Sequence, residues 1–501
     1  MEAFSNLMLG LSVVLSPSVL VYAVMGCVLG TIVGVLPGLG PLAGMSLLLP
    51  LSFTLEPTTA MVLLAGIYYG SMYGGSTTSI LMRLPGEAAS VVTCIDGYEM
   101  TKAGRAGPAL AIAAIASFVA GTTSTVALML LAPPMAAFAL SFGPPEYTAL
   151  FVAGLIVLTY MSSGSMLRTI ALAAFGLLLG TVGIDTMSGF TRFTMNMPEL
   201  GDGLGLVPIS VGLFGLSELL VASTQARTPP VQGRVRLTEL LPSRQDLRMS
   251  AAPIGRGSVL GFLVGIIPGS AHIISSFLSY AVERRISRHP ERFGKGAIEG
   301  VAGPEAANNA AASGAFVSML ALGVPFGAVQ ALMLATLMVH GIAPGPQLVD
   351  QQPELFWGFI ASMYVGNLVL LALNIPLVGF FVSLMRIPYA YIYPVIIIFC
   401  VLGVYSVNSS VIDLWILLGA GAVGYVLRKH GYDLAPVMLG FIIAPMLEMA
   451  FRQSLAMSAG SYGIFIERPV SLGLFVLAGL MLFGSLVPAT ARWRRRVELE
   501  S

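Results

Sequence analysis

Two stretches of this chain follow one pattern. Gly30-Thr31-Ile32-Val33-Gly34-Val35-Leu36-Pro37-Gly38 returns as Gly261-Phe262-Leu263-Val264-Gly265-Ile266-Ile267-Pro268-Gly269. In each, Pro-Gly stops an apolar run of helical character, because proline cannot donate the next helical hydrogen bond and glycine holds the helix poorly. Each copy is cut again further along, at Leu84-Pro85-Gly86 and at Val324-Pro325-Phe326-Gly327. Irregular backbone inside a bilayer leaves polar groups that must face protein, water or a ligand. Breaks at matching places in two halves of a membrane chain are therefore a pointer to a transporter's binding site.

Composition makes the membrane the expected solvent. Of 501 residues, 56% are hydrophobic and 10% charged, against about 25% charged in soluble domains. That excludes a soluble multidomain protein and predicts an all-α polytopic membrane protein. The 57 glycines and 31 prolines suit helices that pack closely and bend. Cys27, Cys94 and Cys400 are scattered and odd in number, which speaks against a disulfide framework or a zinc site. The N-terminus carries Glu2 and no basic region, so no cleaved signal peptide is expected. Catalytic signatures and a phosphate-binding loop are absent, and the four histidines lie apart. The expectation is no enzyme, no metal, no cofactor and no nucleic-acid partner. Without a long hydrophilic block, capture outside the membrane calls for another protein.

Apolar segments lie near 110–131, 147–162, 166–184, 206–222, 356–385, 389–407, 411–428, 433–450 and 470–490. Basic residues cluster at Lys102 and Arg105, at Arg168, from Arg227 to Arg256, from Arg284 to Lys295, at Arg386 with Arg428 and Lys429, and from Arg492 to Arg496. The spans put every cluster on one side. Short basic loops mark the cytoplasm, so the C-terminus is expected there and Arg192, Arg452 and Arg468 outside. Residues 257–283 are apolar with basic loops on both flanks. They read as a re-entrant hairpin tipped by Pro268-Gly269-Ser270, with arms of about 10–14 residues, too short to cross.

Residues 313–341 read as one span broken at Pro325, and 74–100 as its counterpart broken at Pro85 and running the other way. A first hairpin, 18–53, tipped by Pro37-Gly38-Leu39-Gly40, then enters from outside. The result is two inverted-topology repeats, 1–222 and 253–501, joined by a cytoplasmic linker at 223–252, with about 11 spans plus the two hairpins. Residues 1–16 are expected along the interface, and 54–73 either as embedded scaffold or as an extra span.

A helix that stops at mid-membrane turns N–H groups toward anions at one end and carbonyls toward cations at the other. The expected substrate contacts are Pro37, Gly38, Leu39 and Gly40; Gly75, Ser76, Thr77, Thr78 and Gly86; Gly269, Ser270, Ala271 and His272; and Asn308, Asn309, Pro325 and Phe326. Ser79, Glu305 and Ser313 are candidates for coupling a cation, Na⁺ or H⁺. Tight helix packing competes as the reason for isolated Gly, Ser and Thr. Arg83 reads as a partner for a substrate carboxylate or for Glu87, four residues on. His272 reads as a titrating donor or as a histidine bonded to backbone, and Glu305 as a coupling group or a helix cap.

Further motifs carry a resemblance. Gly34-Val35-Leu36-Pro37-Gly38-Leu39-Gly40-Pro41, Tyr69-Gly70-Ser71-Met72-Tyr73-Gly74-Gly75-Ser76, Leu84-Pro85-Gly86-Glu87-Ala88-Ala89-Ser90 and Asp96-Gly97-Tyr98 resemble the large membrane subunit of tripartite tricarboxylate transporters (TctA-type). So do Ile267-Pro268-Gly269, Glu305-Ala306-Ala307-Asn308-Asn309-Ala310-Ala311 and His340-Gly341-Ile342-Ala343-Pro344-Gly345-Pro346. The resemblance implies a bacterial inner-membrane permease working with a small TctB-type membrane subunit and a periplasmic TctC-type solute-binding protein. It implies uptake of an organic di- or tricarboxylate driven by a cation gradient. By analogy with other two-hairpin transporters, an elevator-type motion is expected. Pro325-Phe326-Gly327-Ala328-Val329-Gln330 departs from the family pattern in bulk, which suits a substrate with an apolar or aromatic part. An ion channel or a non-transporting structural subunit is the alternative, since re-entrant loops also line channel filters.

Overall fold

Proline sets where the helices begin. Pro17, Pro41 and Pro57 each occupy a first helical position, where the missing N–H costs nothing and the fixed φ favours the turn. The structure, a computed structural model, describes residues 2–36, 39–161, 166–185, 187–224, 241–269, 271–377, 379–380 and 389–486. The first hairpin is Pro17–Val35 and Pro41–Ser52. The first broken helix runs Pro57–Met82, pauses, and resumes as Val91–Lys102 after a short turn at Ala88–Ser90. In the second half the hairpin is Arg244–Gly265 with Ala271–Ile286, and the broken helix is Glu299–Leu322 with Ala328–Val339.

Both broken helices stop in the same way. A left-handed residue, Arg83 (φ 58°) or Gly323 (φ 70°), follows the last turn, and two residues later proline prevents resumption. Arg83 does not pair with Glu87: it is exposed, while Glu87 engages Asn308.

Several boundaries move from the expected ones. Residues 57–73 are the first part of one helix, Pro57–Met82, which is buried beside the first hairpin. The second broken helix likewise begins at Glu299 rather than near 313. The first arm of each hairpin has 19 and 22 residues, against 12 and 16 in the return arms, so only the return arms are short. The Arg244 helix starts inside the expected linker, where Ser243 accepts from the Asp246 N–H and Asp246 accepts from the Ser243 N–H, a capping box. Within the apolar run 356–385 the helix Pro353–Asn374 ends at a turn over 375–377, and residues 378 and 381–385 lie outside the described residues, while the run at 166–184 is helical over Met166–Leu179. Gly183–Ile184 pairs antiparallel with Thr191–Arg192, a small strand pair among described elements that are otherwise helical. The N-terminal helix Glu2–Val14 packs on Pro353–Asn374, with Gly10 seated on the Trp357 carbonyl.

Six described helices are long and apolar enough to cross a membrane: Pro17–Val35, Ala106–Ala139, Leu206–Thr224, Pro353–Asn374, Val411–Lys429 and Ala435–Met457. Ala106–Ala139 packs along Glu299–Leu322, and Pro353–Asn374 along Pro57–Met82. On the outer flank, Met166–Leu179 meets Ala435–Met457, and the Leu206–Thr224 helix meets Val411–Lys429.

The closest helix pairs are built on glycine. A Cβ added at Gly26, Gly30 or Gly34 would lie 2.5, 2.4 or 2.1 Å from the carbonyl oxygens of Leu63, Ile67 and Ser71. In the second half, a Cβ at Gly257, Gly261 or Gly265 would lie 2.4, 2.2 or 2.4 Å from those of Gly303, Ala307 and Ala311. In lipid such close backbone contact replaces the hydrophobic drive that water supplies elsewhere. The first arm of each hairpin is thereby pressed against the helix that breaks. Arg256 adds a fork to Glu283 across the second hairpin, at 2.8 and 2.5 Å.

Asp96 joins the halves. Its Oδ1 accepts the backbone N–H groups of Gly294, Gly296 and Ala297 at 2.9, 2.8 and 2.9 Å, and its Oδ2 accepts the Tyr280 hydroxyl at 2.9 Å. The end of the first broken helix thus organises the turn between the second hairpin and the second broken helix.

Gly34→Ala is expected to lower stability by about 1–3 kcal/mol, the cost of overpacking where the opposing atom is backbone. Gly40→Ala should be neutral, since nothing lies within 4 Å of the added Cβ. Thermal unfolding of the purified variants in detergent measures both. Asp96→Ala, which strands three N–H groups, should cost about 3 kcal/mol or more by the same measurement, with Asp96→Asn intermediate.

Candidate substrate cavity

All four breaks reach one cavity of 470 Å³. Gly40 and Pro41 come from the first hairpin, and Pro85, Gly86 and Glu87 from the first broken helix. Gly269, Ala271 and His272 come from the second hairpin, and Gly327, Ala328 and Gln330 from the second broken helix. Tyr68 and Ala311, from the first parts of the two broken helices, also line the cavity. The facing wall includes Leu158, Phe214, Glu218, Arg428, Tyr432 and Asp433. Phe214 lies in a π-helical stretch, Val211–Leu216, an irregularity common at functional sites.

The breaks hold one another in place. The Gly269 N–H donates to the Phe326 carbonyl at 2.9 Å, tying the second hairpin to the second broken helix. Gly86 fits between Gly75 and Gly34, where a Cβ would meet the Gly75 Cα at 2.3 Å and the Gly34 carbonyl at 2.6 Å. Only glycine allows that approach.

Behind the cavity wall lies a second polar layer. Glu305, 1% exposed, accepts from Thr93 at 2.5 Å, from Ser76 at 2.7 Å and from Ser117 at 3.4 Å. Asn309 donates to the Ser117 hydroxyl at 2.7 Å and to the Glu305 carbonyl at 3.1 Å. Asn308 donates to Glu87 at 2.8 Å. Pro57–Met82, Val91–Lys102, Ala106–Ala139 and Glu299–Leu322 supply this network, with Glu87 from the break between the first two.

The expected site residues therefore divide. Gly40, Gly86, Gly269, Ala271 and His272 line the cavity. Asn308, Asn309, Ser76 and Glu305 belong to the layer behind it. Thr77, Thr78 and Ser79 bond carbonyls of their own helix, with Ser79 also meeting Ser90, and Ser313 bonds the Asn309 carbonyl at 3.4 Å. Such back-bonding is the ordinary fate of helical hydroxyls. Gly75 backs Gly86 and Glu87. Leu39 packs with Leu36, Ala43 and Leu219. Pro325 and Phe326 are buried outside the lining, and the Phe326 ring approaches Gly154. The structure thus places this ring beside the cavity's Gly327 and Ala328 rather than in the lining itself. Pro37, Gly38 and Ser270 lie outside the described residues.

Sequence reasoning overlooked the facing wall. Arg428 counted there only as a topology signal, yet it lines the cavity and pairs with Glu218. Arg168 sits over the Tyr432 ring, 5.4 Å from its centroid, at the same wall. Among the lining residues, the carboxylates of Glu87, Glu218 and Asp433 face one guanidinium, Arg428.

Comparison with known proteins agrees with the motifs. Residues 20–439 match the family described as the tripartite tricarboxylate transporter TctA family, a family of transporter components rather than enzymes. An uncharacterized 52.8 kDa protein in the TAR-I ttuC' 3' region of Agrobacterium vitis is 45% identical over 500 residues, covering 100% of this chain and 99% of that protein. An uncharacterized protein in the TAR-II ttuC' 3' region of the same organism is 43% identical over 240 residues, 48% of this chain and 99% of that one. No solved structure matches. On the strength of a match over nearly its whole length, this helical, multi-pass membrane chain belongs to the tripartite tricarboxylate transporter TctA family.

Proposed function

We propose that this chain is the large permease subunit of a tripartite importer, moving an organic di- or tricarboxylate with a cation. One observation carries the reading: four breaks far apart in sequence line a single cavity. Its small backbone-rich tips, with His272 and Gln330, offer donors to carboxylate oxygens. The proposed partners are a small TctB-type membrane subunit and a periplasmic TctC-type binding protein, and the proposed location is the bacterial inner membrane with the C-terminus in the cytoplasm.

The paired hairpins and broken helices read as inverted-topology repeats. Glycine-packed helix pairs make each hairpin and its broken helix one body, which suits elevator-type movement against the wall of Phe214, Glu218 and Arg428. That wall carries the basic ends Arg168 and Arg428, so the positive-inside rule supports a cavity open toward the cytoplasm. The channel or structural-subunit alternative draws no support from the family.

In this reading Arg428 meets a substrate carboxylate by exchanging its partner Glu218. Arg428→Gln is expected to weaken citrate binding by about 10–100-fold, the loss of one charged hydrogen-bonding group, with Arg428→Lys between. Isothermal titration of the purified complex reads this, and unchanged affinity in Arg428→Gln would count against the assignment. Uptake into proteoliposomes should saturate with citrate and require the binding protein. Non-saturating flux without it would favour a channel.

A further inference from the structure

The notable group at the cavity edge is Glu87. It is 7% exposed and lines the cavity just after Gly86. Its Oε1 accepts the Asn308 amide N–H at 2.8 Å. Its Oε2 and the Asn308 Oδ1 are both buried, and neither has a partner among the described residues. Two acceptor oxygens are thus left over on side chains already joined by one hydrogen bond. A carboxylate cannot satisfy the amide oxygen, because it has no hydrogen to give. A carboxylic acid can: its O–H donates to the amide oxygen while the amide N–H donates to its carbonyl. One proton supplies both missing partners.

Glu305 differs in kind. Thr93 donates to one of its oxygens, and Ser76 and Ser117 to the other. A carboxylate with three hydroxyl donors is provided for as an anion, even when deeply buried. The more buried acid is therefore the fixed charge, and the one at the cavity wall is free to take up a proton.

We propose that Glu87 is the proton-binding residue of the cavity, its acid form paired with Asn308 and its proton coupled to binding of the substrate anion. This rests on the reading of the cavity as a carboxylate site. The like charge beside Glu87 is Glu305 from Glu299–Leu322, in the same polar layer as Asn308, and the uncharged Tyr68 from Pro57–Met82 lines the cavity with Glu87. His272, Glu218, Asp433 and Arg428 line the same cavity from other elements. Arg428, the opposing cation, is engaged by Glu218. An arriving anion adds further negative charge, so anion and proton bind with positive, reciprocal coupling. Glu305, Ser79 and Ser313, the earlier coupling candidates, are then structural.

Glu87→Gln tests this with little change of shape, because the glutamine amide can reproduce the hydrogen-bonding pattern of the protonated acid. Citrate affinity of the wild-type complex, measured by isothermal titration across neutral to alkaline pH, should fall by up to about tenfold per pH unit once Glu87 loses its proton. In Glu87→Gln that added slope should vanish, while Glu305→Gln should keep it. Citrate's own ionisation is common to all three proteins and cancels in the comparison. Infrared difference spectroscopy of the substrate-free protein should show a protonated-carboxyl C=O band that titrates in wild type and is missing in Glu87→Gln. An unchanged pH slope or an unchanged band in Glu87→Gln would overturn the assignment. So would wild-type affinity that ignores pH but rises with Na⁺ over choline, which places a sodium ion on these oxygens instead. A band that behaves as expected with no citrate binding at all would leave Glu87 as the proton site and sink the carboxylate reading of the cavity.

Discussion

Backbone-to-backbone contact at glycine is the constraint on which the rest of this structure depends. Gly26, Gly30 and Gly34 sit on the carbonyls of Leu63, Ile67 and Ser71, and Gly257, Gly261 and Gly265 on those of Gly303, Ala307 and Ala311. With no room for a methyl group, each hairpin arm lies at a fixed height along the helix that breaks. The break in one element is therefore delivered to the break in its neighbour. Gly86 completes the first junction against Gly34 and Gly75, and the Gly269-to-Phe326 hydrogen bond completes the second. The cavity is what remains when four helix ends are brought together and none can continue through.

Buried polar groups follow from the same geometry. Breaking two helices beside each other exposes polar side chains that lipid cannot solvate. The structure answers with hydroxyls aimed at Glu305 and with amides aimed at Glu87 and Ser117. Within the layer behind the cavity, Glu305 is supplied with hydroxyl donors and holds the broken helices in register. At its border with the cavity, Glu87 Oε2 and Asn308 Oδ1 have no partner among the described residues, and there a transported species can exert a differential effect on the two states of a carrier.

The repeated Pro-Gly motif made the hairpins, the broken helices and their convergence legible, because proline and glycine act locally and leave a mark in the chain itself. Element starts were less legible. Nothing in residues 54–73 distinguishes a separate segment from the first half of Pro57–Met82, since an apolar helix buried on all sides shows no amphipathic period. Roles that depend on partners far along the chain were least legible. Ser76, Thr93 and Ser117 converge on Glu305 from three helices, and no local pattern announces such a meeting. Thr77 and Thr78 look equally suited to a ligand in sequence, yet they spend their hydroxyls on carbonyls of their own helix. Arg428 was hidden for another reason: a basic residue at a helix end has an adequate explanation in membrane topology, so its second position, in the cavity wall, drew no notice.

The central claim, that the meeting point of the four breaks is where the solute binds, is tested most directly by thiol accessibility. The three native cysteines are buried, which keeps the background low. Cysteines placed at Gly40 and Ala328, both in the lining, should react with a water-soluble maleimide and be protected by citrate, while one at Asn309, behind the wall, should stay unreactive in both conditions. Equal labelling of Gly40 and Ala328 positions with and without every transported carboxylate tried would contradict the account.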